Sequence, residues 1–331
     1  MISDAFLLVS YGSPGCRADV LPFLNNLLHG RNVSAPVLEK IAAQYDEIAL
    51  QTGQFSPLSR QCQLLIERLL RRNRLHLPIY WGNLFWHPLL TDTLAEMGEQ
   101  GVRQATVFIT SPFDSEISRK RYVDAIENAR NLVGPNAPEI RLLPAFGNHP
   151  LYYRSVADRI LEAAAHLILE LDYSLEEAGT RLLFTAHSLP LSDQGVKLYV
   201  SQLNEAASES LSFLPKEEEL PLGKSSLLWE LVFQSRSGQP SDPWLEPDIL
   251  VRIRQLAAER DQTGKPLSLL IVPIGFLLEN KETVYDLDLQ AIPLCDELHI
   301  PAVRVATAGP SPTILELIGQ IAKNMTTDGK L

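Results

Sequence analysis

The sequence predicts an α/β protein of two domains, each with a parallel sheet covered by helices. Three observations lead to this fold class. Runs rich in β-forming residues alternate with helical patterns along the chain, several of those runs are apolar at every position, and the length of 331 residues suits two domains. Strands of parallel sheets are buried on both faces, so they are expected to read as continuous apolar runs. We expect the domains at residues 1–147 and 148–331.

Each half of the chain has about four candidate strands. They are short, rich in β-branched or aromatic residues, and separated by helical patterns, which favours parallel pairing. The candidates are Phe6–Ser10, Ile79–Leu84, Ala105–Thr110 and Ile140–Pro144 in the first half, and Leu182–Thr185, Ser226–Phe233, Ser268–Pro273 and Ala302–Ala306 in the second.

The helical segments have apolar residues at helical spacing. They are Asp19–Leu28, Val37–Ile48, Pro57–Arg71, Pro88–Gln100, Ser118–Leu132, Leu151–Leu169, Gly195–Leu211, Pro247–Asp261, Thr283–Leu298 and Pro312–Asn324. Ser56-Pro57 puts a capping residue before a proline at the first helical position, and Glu246-Pro247 and Ser311-Pro312 have a related form. The last helix can pack back on the first domain.

Composition and charge exclude several classes of protein. Apolar residues make up 45% of the chain, which is too many for intrinsic disorder. Lys and Arg number 29 against 40 Asp and Glu, giving a formal charge of -11. Nucleic-acid binding rests on a basic surface, so we expect no nucleic-acid partner. An anionic ligand would need local geometry that overcomes the overall field.

The sequence also indicates a compartment. The opening MISDAFLLVSYGSP has no basic region and reads as a strand, and the longest nearly apolar stretch, Leu267–Leu278, is too short to span a bilayer. Cys16, Cys62 and Cys295 lie far apart without a CxxC motif. We therefore expect a cytoplasmic protein with reduced thiols, no transmembrane segment and no iron–sulfur cluster, which would need four thiolates.

Residues directly after the strands are the candidates for a site, because ligands of such sheets bind beyond the carboxyl ends of strands. Tyr11 follows the first strand, in a turn that contains neither GxGxxG nor a P-loop. A tyrosine-bearing turn without function is the alternative. His187 follows the fifth strand, and the adjacent Ser188 lacks the Gly-x-Ser-x-Gly context of a nucleophile elbow.

Glu282 follows the seventh strand, and Asp286 lies four residues later on the same face of the predicted helix. A solvated acidic helix start and a structural histidine are the alternatives for Glu282 and His187. Since both follow strands of the second domain, we expect them to meet. An imidazole beside a carboxylate suits a divalent metal or proton abstraction, but two ligands are too few for a structural zinc site.

Aromatic residues are dense around the second and sixth strands: Trp81, Phe85, Trp86, Trp229, Phe233 and Trp244. Core packing is the default interpretation of each. The alternative is that some of them wall a cavity for a large planar ligand.

Several motifs in this order resemble the ferrochelatase family, most of all the coproporphyrin III ferrochelatases of the Gram-positive bacterial type. The resemblance covers nearly the whole chain. Its motifs are Tyr11-Gly12-Ser13-Pro14, Phe55-Ser56-Pro57-Leu58, Tyr80-Trp81-Gly82-Asn83, the stretch ending at Tyr122, Phe184–Pro190, Gln234–Gly238 with Pro243–Pro247, and Pro273–Phe276 leading to Glu282. It implies two Rossmann-like domains of the class II chelatase type, with a cleft between them.

The resemblance also implies an activity and a site. The enzyme would insert ferrous iron into coproporphyrin III to give iron-coproporphyrin III in haem biosynthesis, with Fe²⁺ as a substrate and no permanently bound cofactor. His187 and Glu282 would be the catalytic residues at the metal, whereas Tyr11, Ser56 and Tyr122 would bind the porphyrin. Tyr11 favours coproporphyrin over protoporphyrin. A separate decarboxylase, which can contact the enzyme transiently, would convert the product to haem.

This sequence departs from the family pattern at several positions. Leu28 and Gln44 occupy the places of two arginines that contact propionates in some relatives, although Arg31 and Tyr45 lie close by. Gln290 replaces an acid beyond Asp286, and Asn280-Lys281 replaces the usual Asp-His pair before the glutamate. The alternatives to the coproporphyrin enzyme are a protoporphyrin IX ferrochelatase, a tetrapyrrole carrier without catalysis, and an unrelated α/β binding protein.

Overall fold

The computed structural model describes residues 3–30, 33–72, 75–114, 119–171, 179–215, 228–236 and 242–327. The chain divides into two units. Unit 1 comprises residues 1–146 together with 309–331, and unit 2 comprises residues 147–308. The first division lies one residue before the expected domain boundary at 147/148. Residues 309–331, expected in the second domain, group instead with unit 1, where the last helix contacts the helix that follows Ser56.

Unit 1 contains a four-stranded parallel sheet in the order β2-β1-β3-β4. Its strands are β1 (Ala5–Ser10), β2 (Ile79–Asn83), β3 (Gln104–Ile109) and β4 (Glu139–Leu142). Its α-helices are α1 (Arg17–Leu27), α2 (Ala35–Thr52), α3 (Pro57–Arg71), α4 (Leu90–Glu99), α5 (Arg121–Val133) and α10 (Pro312–Thr327).

Unit 2 repeats this topology with the strand order β6-β5-β7-β8. Its strands are β5 (Thr180–His187), β6 (Leu228–Gln234), β7 (Ser268–Val272) and β8 (Ala302–Arg304). Its helices are α6 (Pro150–Leu171), α7 (Val196–Ser212), α8 (Ile249–Thr263), the π-helical segment π1 (Thr283–Ala291) and α9 (Ile292–Glu297). The predicted α/β fold with two parallel sheets is confirmed.

Apolar side chains on both faces explain why β1 and β7 are central or near-central strands, since every residue of both strands is buried. In unit 1, Leu7 and Val107 of the sheet pack against Leu94 of α4 and Ile126 of α5. The corresponding core of unit 2 joins β5, β6 and β7 to α8, π1 and α9. In both units the core fixes the strand ends in place.

Capping side chains set the starts of α3, α8 and α10. Ser56 caps α3 and Ser311 caps α10, as expected, with each hydroxyl accepting a backbone N–H. The predicted start at Glu246-Pro247 is wrong, because the carboxylate of Asp248 accepts the N–H groups of Leu250 and Val251 and so starts α8 at Ile249.

The segment after Glu282 is not the single α-helix that the sequence predicts. Residues Thr283–Ala291 are wound as a π-helix, and only then does α9 begin. Leu287 and Ala291 of π1 are fully buried in the core of unit 2. Pro293, which has no N–H to donate, is the second residue of α9.

Part of three predicted features lies outside the described residues: Ser118 at a helix start, Ser226 at a strand start, and Ser237 and Gly238 within a motif. In the ranges that the structure describes, no helix is both long and apolar enough to cross a membrane.

Candidate functional site

His187 is the last residue of β5, the strand that β6 and β7 flank in the sheet of unit 2. Its register partner on β6 is Gln234, also the last residue of its strand. The chain leaves β5 toward β6 on one side, and β7 lies on the other side, so His187 occupies the point where the winding of the sheet reverses. This is where open α/β sheets bind ligands.

The loop after β7 brings Glu282 to the same edge. Gly275 in this loop passes so close to β5 that a Cβ atom would lie 2.7 Å from Ala186 Cβ, and its N–H donates to the carbonyl of Thr185 at 3.0 Å. Only glycine permits this approach without a shift of the backbone. The close contact with Ala186, which precedes His187, therefore fixes the start of the loop that carries Glu282.

Asn280 sets the first turn of π1. Its side-chain oxygen accepts the N–H of Glu282 at 2.7 Å and that of Thr283 at 3.1 Å, while the hydroxyl of Thr283 accepts the N–H of Asn280. This is the reciprocal arrangement of a capping box. The Asn280 that departs from the family pattern thus has a structural role here.

His187 and Glu282 lie next to each other, as the sequence predicts. Nε2 of His187 is 3.4 Å from Oε1 of Glu282. Nδ1 of His187 lies 2.5 Å from the carbonyl oxygen of Ser188. A carbonyl oxygen only accepts, so Nδ1 carries a proton, and in the neutral form of the ring Nε2 presents a lone pair to the carboxylate. Two facing acceptors attract each other only when a proton or a cation lies between them.

Both side chains remain reachable, because 27% of the His187 side chain and 33% of the Glu282 side chain are exposed. The arrangement can accept protons at Nε2 and at the carboxylate, or hold a divalent cation between them. Within the described ranges, no group of three or more His, Cys, Asp or Glu residues is arranged to hold a metal ion.

Two buried side chains hold this pair in place. Gln234 is 1% exposed, and its Nε2 donates to the backbone carbonyl of Glu282 at 2.9 Å. The hydroxyl of Tyr199 donates to the carbonyl of His187 at 3.3 Å. Burial, and to a smaller extent the charge of Glu282, raises the pKa of Tyr199, so its phenol stays neutral and keeps donating.

Asp286 supplies a second carboxylate near the pair. Burial raises its pKa, whereas the hydroxyl of Ser235, which donates to Oδ2, and the charge of Lys281 act in the opposite direction. Ser235 takes a left-handed backbone conformation, with φ of 63°, to present that hydroxyl. Gln290, farther along π1, is exposed.

In unit 1 the equivalent sheet edge is aromatic. Tyr11 follows β1, its ring centroid lies 4.7 Å from that of Phe85 and 6.4 Å from that of Tyr122, and Tyr122 is buried in α5. The phenol oxygen of Tyr11 accepts from Nη1 of Arg121 at 3.0 Å. Two of the expected porphyrin residues, Tyr11 and Tyr122, are therefore neighbours.

Ser56 has a different setting. It is 9% exposed, and its hydroxyl oxygen accepts the N–H of Ser59 at 3.1 Å as the cap of α3. Tyr45, which lies near the missing arginines in sequence, is 3% exposed and packs edge-on against Phe23 in the core, while Arg31 lies outside the described residues.

The tryptophans are mostly packed within their own units. Trp81 donates to the hydroxyl of Ser10, and Trp229 packs edge-on against Phe184. Trp244 pairs with Pro190 of the same unit, but its buried Nε1 has no hydrogen-bond partner in the part of the chain that the structure describes. Core packing, the default interpretation, accounts for Trp81 and Trp229.

The sequence alone indicates no role for Arg121 or Gln234. Gln234 stands in one of the recognised motifs, but its contact with Glu282 depends on the register between β5 and β6. Arg121 touches a residue 110 positions earlier in the chain. A basic residue beside Tyr122 is the one signal that the sequence offers for Arg121.

The chain is similar to several known proteins. A family model described as Ferrochelatase matches residues 3–326. A Ferrochelatase of Rhodopirellula baltica is 37% identical over 318 residues, covering 95% of this chain and 84% of that protein. A Coproporphyrin III ferrochelatase of Nocardia farcinica is 35% identical over 335 residues, covering 98% of this chain and 88% of that protein. The Coproporphyrin III ferrochelatase of Mycolicibacterium smegmatis is 35% identical over 331 residues, covering 98% of this chain and 90% of that protein.

Among solved structures, the one described as SirB from Bacillus subtilis with Fe3+ aligns with a TM-score of 0.51 at 12% identity, over 99% of this chain and 98% of that chain. At that identity the likeness concerns the fold alone.

Proposed function

The chain belongs to the ferrochelatase family, and on that premise we propose that it inserts Fe²⁺ into coproporphyrin III to give iron-coproporphyrin III. It is a metal chelatase of the lyase class. The observation that carries the proposal is the pair formed by His187 and Glu282, whose facing acceptor atoms lie 3.4 Å apart.

The pair suits the proton balance of metallation. The free porphyrin loses its two pyrrole N–H protons, the iron exchanges bound water for the pyrrole nitrogens, and the products are the iron porphyrin and two protons. The free lone pair of Nε2 in His187 can accept one proton, and the carboxylate of Glu282 can guide the cation and accept the other. Gln234 and Tyr199 hold the backbone of Glu282 and of His187, respectively, in place during metallation.

Coproporphyrin III is the preferred substrate in this proposal for two reasons. Relatives that cover nearly the whole chain are named coproporphyrin III ferrochelatases. Tyr11, which the resemblance associates with the porphyrin face in that type, lies in an aromatic cluster with Phe85 and Tyr122. Protoporphyrin IX is the second candidate, since the relative from Rhodopirellula baltica is named simply a ferrochelatase.

The test is an anaerobic assay in which protein, Fe²⁺ and either porphyrin are mixed and the absorption spectrum is followed. We expect insertion to be faster than in the protein-free control, and faster with coproporphyrin III than with protoporphyrin IX. Binding of the porphyrin without acceleration would instead indicate a carrier. Equal or higher turnover of protoporphyrin IX would contradict the substrate assignment.

The setting of the reaction is also part of the proposal. The enzyme would act in the cytoplasm, would use no iron–sulfur cluster or other resident cofactor, and would pass its product to a coproheme decarboxylase in a transient contact. The support for the first two points is the cysteine content, since the sequence has three cysteines and all three are free thiols.

A further inference from the structure

Arg121 begins α5 at the same edge of the unit 1 sheet as Tyr11. Its side chain is half-buried, and Nη1 donates to the phenol oxygen of Tyr11 at 3.0 Å. From this arrangement we infer that Arg121 is a specificity-determining residue that binds a carboxylate of the tetrapyrrole substrate. The inference rests on the proposed function, whose substrate it describes more closely.

In the part of the chain that the structure describes, the positive charge of Arg121 has no acidic partner. No carboxylate lies within 4.0 Å of its guanidinium among the described residues, whereas Arg17, Arg119 and Arg130 of the same unit each form an ion pair. A guanidinium has five N–H donors, and the contact with Tyr11 uses one. The remaining donors form the planar fork that binds carboxylates in a bidentate manner.

The proposed substrate makes such a cation necessary. Coproporphyrin III carries propionates at positions where protoporphyrin IX carries vinyl groups, so it presents more carboxylates. The chain has a formal charge of -11, which repels such an anion unless local cations meet it. By the resemblance, Leu28 and Gln44 take the places of two arginines that contact propionates in some relatives, so those two positions supply no cation.

Tyr11 fixes the direction of the fork. Its ring packs beside those of Phe85 and Tyr122, and its oxygen accepts a hydrogen bond from one edge of the guanidinium. A side chain held in this way loses less conformational entropy when it binds a ligand. Charge and geometry therefore both favour recognition of a carboxylate beside the porphyrin face that Tyr11 is expected to meet.

The experiment measures the dissociation constant of metal-free coproporphyrin III, and of its fully esterified form, by fluorescence quenching. The variants are Arg121→Gln and, as the matched control, Arg130→Gln on the same helix, which removes the same charge from an ion pair with Glu127. We expect Arg121→Gln to weaken binding of the acid about tenfold and to leave ester binding within about twofold, in line with hydrogen bonds to charged groups. The control should bind both forms as the unchanged protein does.

Unchanged affinity for the acid, or an equal loss for acid and ester, would overturn the assignment. If Arg121→Gln does not fold, as judged by circular dichroism, Arg121→Lys carries the test, because it keeps the charge and loses the fork. Arg121→Lys should bind the acid about threefold more weakly and the ester with unchanged affinity. An equal loss of affinity for both forms would again overturn the assignment. The binding measurement contains no iron, so its result does not depend on catalysis. If the unchanged protein fails to insert iron in the separate assay, the proposed function is wrong, but the role of Arg121 in binding is still decided by the affinities.

Discussion

The carboxyl ends of β1 and β5 occupy equivalent places in sheets of the same strand order, yet they carry different chemistry. After β1 the chain presents Tyr11 among aromatic rings with one arginine. At the end of β5 it presents His187 beside the carboxylate of Glu282. The topology repeats and the chemistry does not.

The difference shows that two sheets with the same topology can carry different chemistry at equivalent strand ends. The order of parallel strands decides where side chains gather, because the winding reverses at the same point in both sheets. The residues that follow the strands decide what happens there. We expect the edge of unit 2 to control the rate of insertion and the edge of unit 1 to control the affinity for the porphyrin.

Replacement of His187 by Ala tests this division most directly. It removes the Nε2 lone pair, so we expect the rate of iron insertion to fall about 10³-fold or more, within the range of a lost general base. Porphyrin affinity, measured by fluorescence quenching, should stay measurable. Full activity in this variant would remove His187 from the mechanism.

Replacement of Glu282 by Gln keeps the size of the side chain and removes its charge. We expect the insertion rate to fall about 10²-fold and the KM for Fe²⁺ to rise, because the cation loses its carboxylate partner. The matched control is Glu162→Gln, an exposed residue of unit 2 paired with Arg159. A change in porphyrin affinity with a normal rate would reverse the roles of the two edges.

Replacement of Gly275 by Ala tests the geometry of the edge of unit 2 without touching a reacting group. The new Cβ would lie 2.7 Å from Ala186 Cβ, so the loop that carries Glu282 must move away from β5. We expect about a tenfold loss of kcat and a free energy of unfolding lower by about 1–3 kcal/mol. Gly15→Ala is the control, since the nearest atom there is 3.4 Å away; an equal loss in both variants would contradict the prediction.

Replacement of Gln234 by Met removes the donor to the carbonyl of Glu282 at similar volume. We expect a fall in kcat of about fivefold with unchanged porphyrin affinity, as for the loss of one positioning hydrogen bond. Gln104→Met makes the same change in a strand of unit 1, where the side chain contacts Glu139, and should leave kcat unchanged. The pair of steady-state measurements compares the two sheets directly.

The fold could be predicted well because buried parallel strands are recognisable as apolar runs. Ile79–Asn83 and Ser268–Val272, for example, form strands where the sequence analysis expects them. The winding of π1 could not be predicted. Its buried residues Val284, Leu287 and Ala291 follow a spacing that an α-helix also produces.

The candidate site was predictable where a side chain directly follows a strand, as His187 does, because parallel strands end at one edge. Contacts between residues that are far apart in the sequence were not predictable. Arg121 and Tyr11 are 110 residues apart, and the hydrogen bond of Gln234 requires the register of two strands. Such contacts depend on three-dimensional neighbours that the order of residues in the chain does not state.

Replacement of Tyr11 by Phe should have the smallest effect of the series, and it tests the edge of unit 1. The ring keeps its contacts with Phe85 and Tyr122, whereas Arg121 loses the oxygen that orients it. We expect coproporphyrin III to bind about threefold more weakly, with kcat within about twofold of the unchanged protein. A tenfold fall in kcat at saturating porphyrin would mean that the phenol takes part in the reaction, and the division between a binding edge and a reacting edge would then be wrong.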